Sequence, residues 1–241
     1  MAVTRWKSFG ASVRGKRHAR ACKPNQDSFS IIRRKWGNAV VVSDGVGSCS
    51  MAHFGSCAAC RAVVFAANMW LEMNDKTDAL VEQIHANWLS FIKPFAPENC
   101  AATCLFAIRP IEGQIVLGML GDGLIGALKT DGSYFELMED KGDCFSNQTT
   151  PLSECTTIQQ WKTRLIPQNE CNTIILCTDE VADGLLPERR AEFVRQICQR
   201  GNNYSFSGAS RGIRKMLENW PVPKHSDDKT LVCYYSIQEE L

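Results

Sequence analysis

The order in which helical and extended patterns follow one another constrains this chain most. Apolar and β-branched runs over 28–32, 38–43, 102–108, 114–120, 124–129, 173–178 and 229–237 predict strands. Asp131-Gly132 sets a hairpin signal after the fifth of them. Residues 50–72 are almost continuously small and apolar, which predicts a helix buried on most sides. Residues 77–95 carry Leu80, Ile84, Trp88 and Phe91 on one helical face. A second helix pair is predicted at 187–200, opened by Pro187 in its first turn and presenting Phe193, Val194 and Ile197, and at 207–220. Strands, two helices, more strands, two helices and a last strand do not make a strict βαβ alternation. The expected class is α+β, a β-sandwich flanked by helices rather than a doubly wound sheet.

No run of Pro, Gly or Ser and no internal repeat interrupts the 241 residues, so a single domain over 1–241 is expected. Lys and Arg number 27 against 26 Asp and Glu, a formal net charge of +1. That balance gives no electrostatic grip on nucleic acid or an acidic membrane, and neither is expected as a partner. The apolar stretches are too short or too interrupted to cross a bilayer, and MAVTRWKSFG lacks the apolar core of a signal peptide. The expected location is cytoplasmic. The 12 cysteines lie mostly within apolar runs, as small buried hydrophobes do. Cys57 and Cys60 have C-x-x-C spacing, but no second pair follows at a zinc-site distance and a predicted helix runs through them. No cysteine is followed six positions later by arginine, which excludes a cysteine nucleophile with a phosphate-cradling arginine.

Two glycine patterns are set aside. Gly10-Ala-Ser-Val-Arg-Gly-Lys16 fits most of a P-loop, but Arg17 stands where a Ser or Thr hydroxyl is needed, and no buried strand is predicted before it. Gly121-Asp-Gly-Leu-Ile-Gly126 follows a strand yet leads into another strand, not into a helix whose N-terminus could hold a pyrophosphate.

Four aspartates stand at predicted strand ends beside small or polar turns: Asp44, Asp122, Asp179 and Asp227. Each alone fits a turn residue. Converging at one rim they would repel one another unless hard cations neutralised them, and oxygen-only donors select Mg²⁺ or Mn²⁺ over zinc or copper. His18, His53, His85 and His225 are isolated in sequence and are expected on the surface or in packing roles.

Asn25-Gln-Asp27, Ser43-Asp-Gly-Val-Gly-Ser48, Ala102-Thr-Cys-Leu105, Leu120-Gly-Asp-Gly123, Cys177-Thr-Asp179 and Asp227-Asp-Lys-Thr230 follow the order and approximate spacing of the motifs of PP2C-type metal-dependent serine/threonine protein phosphatases. The chain resembles that family over about residues 10–235, most closely the bacterial subgroup with a Gln-Asp first motif. The resemblance implies a four-layer α-β-β-α sandwich of two antiparallel sheets flanked by helix pairs, with a metal cluster in a cleft at one end. It implies that Asp44 bridges two Mn²⁺ or Mg²⁺ ions, that the Gly45 carbonyl binds one of them, and that Asp179 and Asp227 complete the shell of the other. Asp122 would share a looser third ion with Asp179. Asp44, Asp179 and Asp227 would thus carry the catalysis, a metal-activated water attacking phosphoserine or phosphothreonine, and Asp27 would support the cluster from close by.

The departures from the family pattern carry their own expectations. Gln26 replaces a glutamate, which exchanges an anionic ligand for an amide and weakens the second ion's hold. Cys22 occupies the place of the family's phosphate-binding arginine, and Arg20 is the nearby candidate for that role. Val46 replaces the histidine that follows the Asp-Gly pair in eukaryotic relatives, and Glu180 replaces a glycine. Asp228 is expected to point away from the cluster. The resemblance also implies a phosphoprotein substrate and an opposing bacterial Ser/Thr kinase. The alternative is a pseudophosphatase that binds phosphoproteins without turnover.

Overall fold

The computed structural model describes residues 2–73, 76–138, 150–222 and 225–240. Among them, ten strands form two antiparallel five-stranded sheets. One sheet has the order β1 (Ala2–Val13), β10 (Lys229–Glu240), β9 (Cys171–Cys177), β6 (Leu124–Lys129), β7 (Tyr134–Met138). The other has the order β2 (Asp27–Arg34), β3 (Gly37–Asp44), β4 (Cys104–Pro110), β5 (Gln114–Leu120), β8 (Lys162–Pro167). Helices α2 (Ala52–Met73) and α3 (Thr77–Phe91) cover the second sheet; α5 (Pro187–Asn203) and α6 (Phe206–Glu218) cover the first. The four-layer arrangement is the expected one.

The continuous apolar runs have a direct cause, because the central strands are buried on both faces. In β3, Ala39 and Val41 pack under α2 and α3 while Val40 and Val42 enter the core between the sheets. β4 splits the same way, Cys104, Phe106 and Ile108 outward and Leu105 and Ala107 inward. In β9, Ile175 and Cys177 meet the second helix pair while Ile174 and Leu176 face the other sheet. With side chains alternating between two buried layers, apolar residues are needed at every position. Each fully buried Leu, Ile or Phe contributes about 1.5–3 kcal/mol of transfer free energy.

Three strands, β1, β7 and β8, and the short helix α1 (Lys16–Arg20) were not expected as such, although the hairpin signal at Asp131-Gly132 does join β6 to β7. β1 is the notable addition, because it corrects the view that no buried strand precedes the P-loop-like segment. Its polar Arg5, Lys7, Ser8 and Ser12 break the apolar run, and the strand is supplied by pairing along its whole length with β10. The segment is still no phosphate loop, since the Gly15 amide is donated to Asp228 Oδ1 at 2.6 Å. Of the cysteines, Cys60, Cys100, Cys104, Cys171, Cys177 and Cys233 are buried as expected; Cys22, Cys57 and Cys155 are exposed, and Cys144 lies outside the described residues. Among the described residues no helix is long and apolar enough to cross a membrane.

Candidate active site

The antiparallel order brings the start of β2, the end of β3, the loop from β5 to β6, the end of β9 and the approach to β10 to one rim. Gln26, Asp44, Gly45, Val46, Gly47, Thr103, Asp122, Asp179 and Asp227 line a cleft of about 160 Å³ there. The four aspartates singled out from the sequence therefore meet, with Gln26 and Gly45 beside them.

Asp44 ends β3 opposite Asp27 in β2. Its amide donates to Thr103 Oγ1 at 2.9 Å, and its carbonyl accepts from the Thr103 amide at 2.7 Å. Backbone contacts thus hold the residue, leaving its side chain for the cleft. Gly45 cannot carry a side chain, because a Cβ would lie 2.3 Å from the Ala52 carbonyl oxygen at the start of α2. Asp122 sits between Gly121 and Gly123, whose φ angles of 87° and 112° make a turn that L side chains rarely adopt. Asp179 opens the four-residue helix α4 (Asp179–Ala182), its Oδ1 accepting from the Glu180 amide at 2.6 Å.

Asp27 is buried behind Asp44, and its Oδ2 accepts from Thr178 Oγ1 at 3.0 Å and Thr230 Oγ1 at 2.8 Å. Burial pushes its carboxyl up to about 7. Burial, then the charges of Asp27 and Asp179, push Asp44 well above the usual carboxylate range. Burial, then the charge of Asp122, raise Asp179 to about 6. Burial, with repulsion among neighbours, thus disfavours the charged carboxylates of the cluster. Among the described residues, two buried oxygens here, Gln26 Oε1 at the cleft and Asp27 Oδ1 behind it, have no hydrogen-bond partner.

Several residues stand differently from expectation. Arg20 lies exposed on α1 and does not line the cleft. Arg17 does not line the cleft either, but among the described residues it reaches it: its guanidinium pairs with the Asp227 carboxylate, and a Cβ on Gly47 would lie 3.6 Å from Arg17 Nη2 and 3.7 Å from Gln26 Oε1. His18 is not isolated. It is buried with Nδ1 at 2.8 Å from Asp228 Oδ2 and 3.4 Å from Asp227 Oδ1. Asp228 does turn away from the cleft, but it is 3% exposed and accepts from the amides of Gly15 and Gln26, both at 2.6 Å. Glu180 is half-buried and does not line the cleft; its Oε1 accepts from the Asp227 amide at 2.8 Å. Arg17 and His18 carry no motif of their own, and only their segment, a basic stretch before the first motif, could have drawn attention to them; Asp228 stands in the Asp227-Asp-Lys-Thr230 motif, where no local pattern shows its contacts with Gly15 and His18.

A β-sandwich between two helix pairs, with carboxylates from both sheets crowding one rim, defines the four-layer α-β-β-α class. The chain belongs to the protein phosphatase 2C family, whose model matches residues 14–218, and through it to the protein serine/threonine phosphatases. No curated protein sequence matches the chain. Similar solved structures include a bacterial serine phosphatase (14% identity, TM-score 0.69, covering 98% of this chain and 100% of that one). The photosystem II phosphatase PBCP aligns at 14% identity with TM-score 0.68, covering 96% and 98%. RsbX in complex with magnesium aligns at 16% identity with TM-score 0.62, covering 98% and 100%.

Proposed function

We propose that this chain, as one phosphatase domain over its whole length, hydrolyses phosphoserine and phosphothreonine in proteins with Mn²⁺ or Mg²⁺. The observation that carries this reading is the convergence of Asp44, Asp122, Asp179 and Asp227 with Gln26 and the Gly45 backbone in one cleft. The donor set suits hard divalent ions: every group is an oxygen, the carboxylates are crowded beyond what local hydrogen bonds neutralise, and the buried Gln26 Oε1 lacks a partner. Asp44, the Gly45 carbonyl, Asp122, Asp179 and Asp227 would hold the ions. When bound, the ions supply an activated water and neutralise charge on the phosphoryl oxygens. RsbX, similar in fold, is known with magnesium.

The chain's own residues do the rest. Arg17, its side chain 57% exposed, reaches the cleft mouth and pairs with Asp227. There the guanidinium can receive a phosphoryl group through two parallel hydrogen bonds. Val46 lines the cleft and carries no proton, so the leaving alkoxide takes its proton from water there rather than from that side chain. A protein kinase that writes the same phosphates is the implied partner class.

Purified protein should turn over a phosphothreonine peptide with added Mn²⁺ and lose that turnover in excess EDTA; equal rates in both would overturn the cation chemistry. Arg17→Ala should lower kcat/KM by about 10–100-fold, the worth of a charge-assisted hydrogen bond of about 1.5–3 kcal/mol. Arg17→Lys should recover part of it, and Arg20→Ala should differ little from the parent. Loss with Arg20→Ala alone would return the phosphate role to Arg20.

A second reading, a phosphoprotein-binding module without turnover, has one observation in its favour: a basic side chain, Arg17, pairs with the cleft carboxylate Asp227. Phosphopeptide binding in EDTA, with no hydrolysis in Mn²⁺, would select it.

A further inference from the structure

Glu180 touches two of the site aspartates at once, one through its backbone and one through its side chain. Its amide donates to Asp179 Oδ1 at 2.6 Å, while its Oε1 accepts from the Asp227 amide at 2.8 Å. The carboxylate also faces Lys229 Nζ at 3.6 Å, and that ammonium donates to the carbonyls of His225 at 3.1 Å and Asp227 at 3.0 Å. His225 Nδ1 closes the circuit by donating to the Glu180 carbonyl at 2.9 Å. The side chains of Glu180 and Lys229 are 17% and 6% exposed, so these contacts are sheltered from water. The loop over 225–229 has no regular structure until β10 begins, and Asp227 rides on it. Without Glu180, the Asp227 amide and the Lys229 ammonium would each lose a partner in a nearly buried place.

We infer that Glu180 is a positioning residue, a clamp between the end of β9 and the start of β10 that sets the Asp227 carboxylate relative to Asp179, and not a further cation ligand. Its carboxylate is turned toward the Asp227 backbone and Lys229, away from the cleft. The inference rests on the proposed cation chemistry for its consequence but not for its geometry. A short side chain at 180 would leave the loop free to drift, and supporting residues of this kind typically account for 10–100-fold in metal affinity.

The test compares Glu180→Gln, Glu180→Ala and Glu180→Asp by calorimetric Mn²⁺ titration, together with amide hydrogen exchange of residues 225–229 in metal-free protein. Gln keeps an oxygen within reach of the Asp227 amide, and Lys229 keeps both carbonyl acceptors, so Mn²⁺ affinity should stay within about fivefold, the worth of the single 3.6 Å ion pair lost. Ala removes that oxygen, and Asp keeps the charge but withdraws it by one methylene. Both should weaken Mn²⁺ by about 10–100-fold and speed exchange over 225–229. Gln weakening Mn²⁺ as much as Ala would make Glu180 a direct ligand and overturn the inference, as would unchanged affinity and exchange in all three. Should the parent protein bind no Mn²⁺, the proposed chemistry falls, and the exchange comparison still decides the clamp.

Discussion

Asp44→Asn is expected to give a folded protein whose turnover at saturating Mn²⁺ falls by about 10²–10³-fold, the range that loss of one preorganised electrostatic stabiliser produces. The substitution changes charge with almost no change in volume. The contacts that hold the residue in place run through its backbone to Thr103 and are untouched. A residue serving only its turn would accept Asn readily, since both side chains suit the same local geometry. In EDTA the variant should melt at or above the parent temperature, because a neutral amide removes a buried charge that desolvation and the neighbouring Asp27 and Asp179 both disfavour. Turnover and melting temperature measured on the same preparation check both halves. A well-folded Asp44→Asn protein with near-parental activity would remove Asp44 from the centre of the site.

Asp228→Ala is expected to act the other way, on stability before chemistry. The Asp228 carboxylate accepts from Gly15 N on one oxygen, and from Gln26 N and His18 Nδ1 on the other. Leaving buried donors of this kind unpaired costs about 1–3 kcal/mol each. A total of about 3–5 kcal/mol, toward the low end for three such donors, corresponds to a fall of roughly 6–20 °C in Tm for a chain of this size. Asp228→Asn should fall between, since an amide offers one acceptor oxygen and must turn its NH₂ toward a donor on the other side. The sequence pattern suggested that Asp228 would be a bland neighbour of Asp227; its burial makes it the joint that fastens the segment before β2 to the start of β10. A melting temperature unchanged in Asp228→Ala would show that the three contacts contribute nothing net.

Asp44, Asp122, Asp179 and Asp227 could be read in advance because each sits beside turn residues at the end of an apolar strand, so local pattern and chemistry coincide. The central strands were legible for the same local reason: β3, β4 and β9 are apolar at nearly every position because both faces are covered. β1 and β8 were not, since each is half polar and is held at a sheet edge by a partner distant in sequence. Arg17 could not be told from Arg20 in a basic run of five or six residues. The direction each side chain takes is set by α1, which lodges Arg17 N against the Ser226 carbonyl at 3.0 Å.

By itself, then, the sequence determined the class of fold and the acidic rim, because apolar periodicity, turn chemistry and the charge of a carboxylate are properties of short stretches. Tertiary structure alone decided which polar groups serve that rim. His18 meets Asp228 across 210 residues, Gly15 across 213, and Glu180 meets Asp227 across 47. Hydrogen-bond partners are chosen within about 3 Å in space, and no local pattern records which distant segment the folded sheets will bring to that distance.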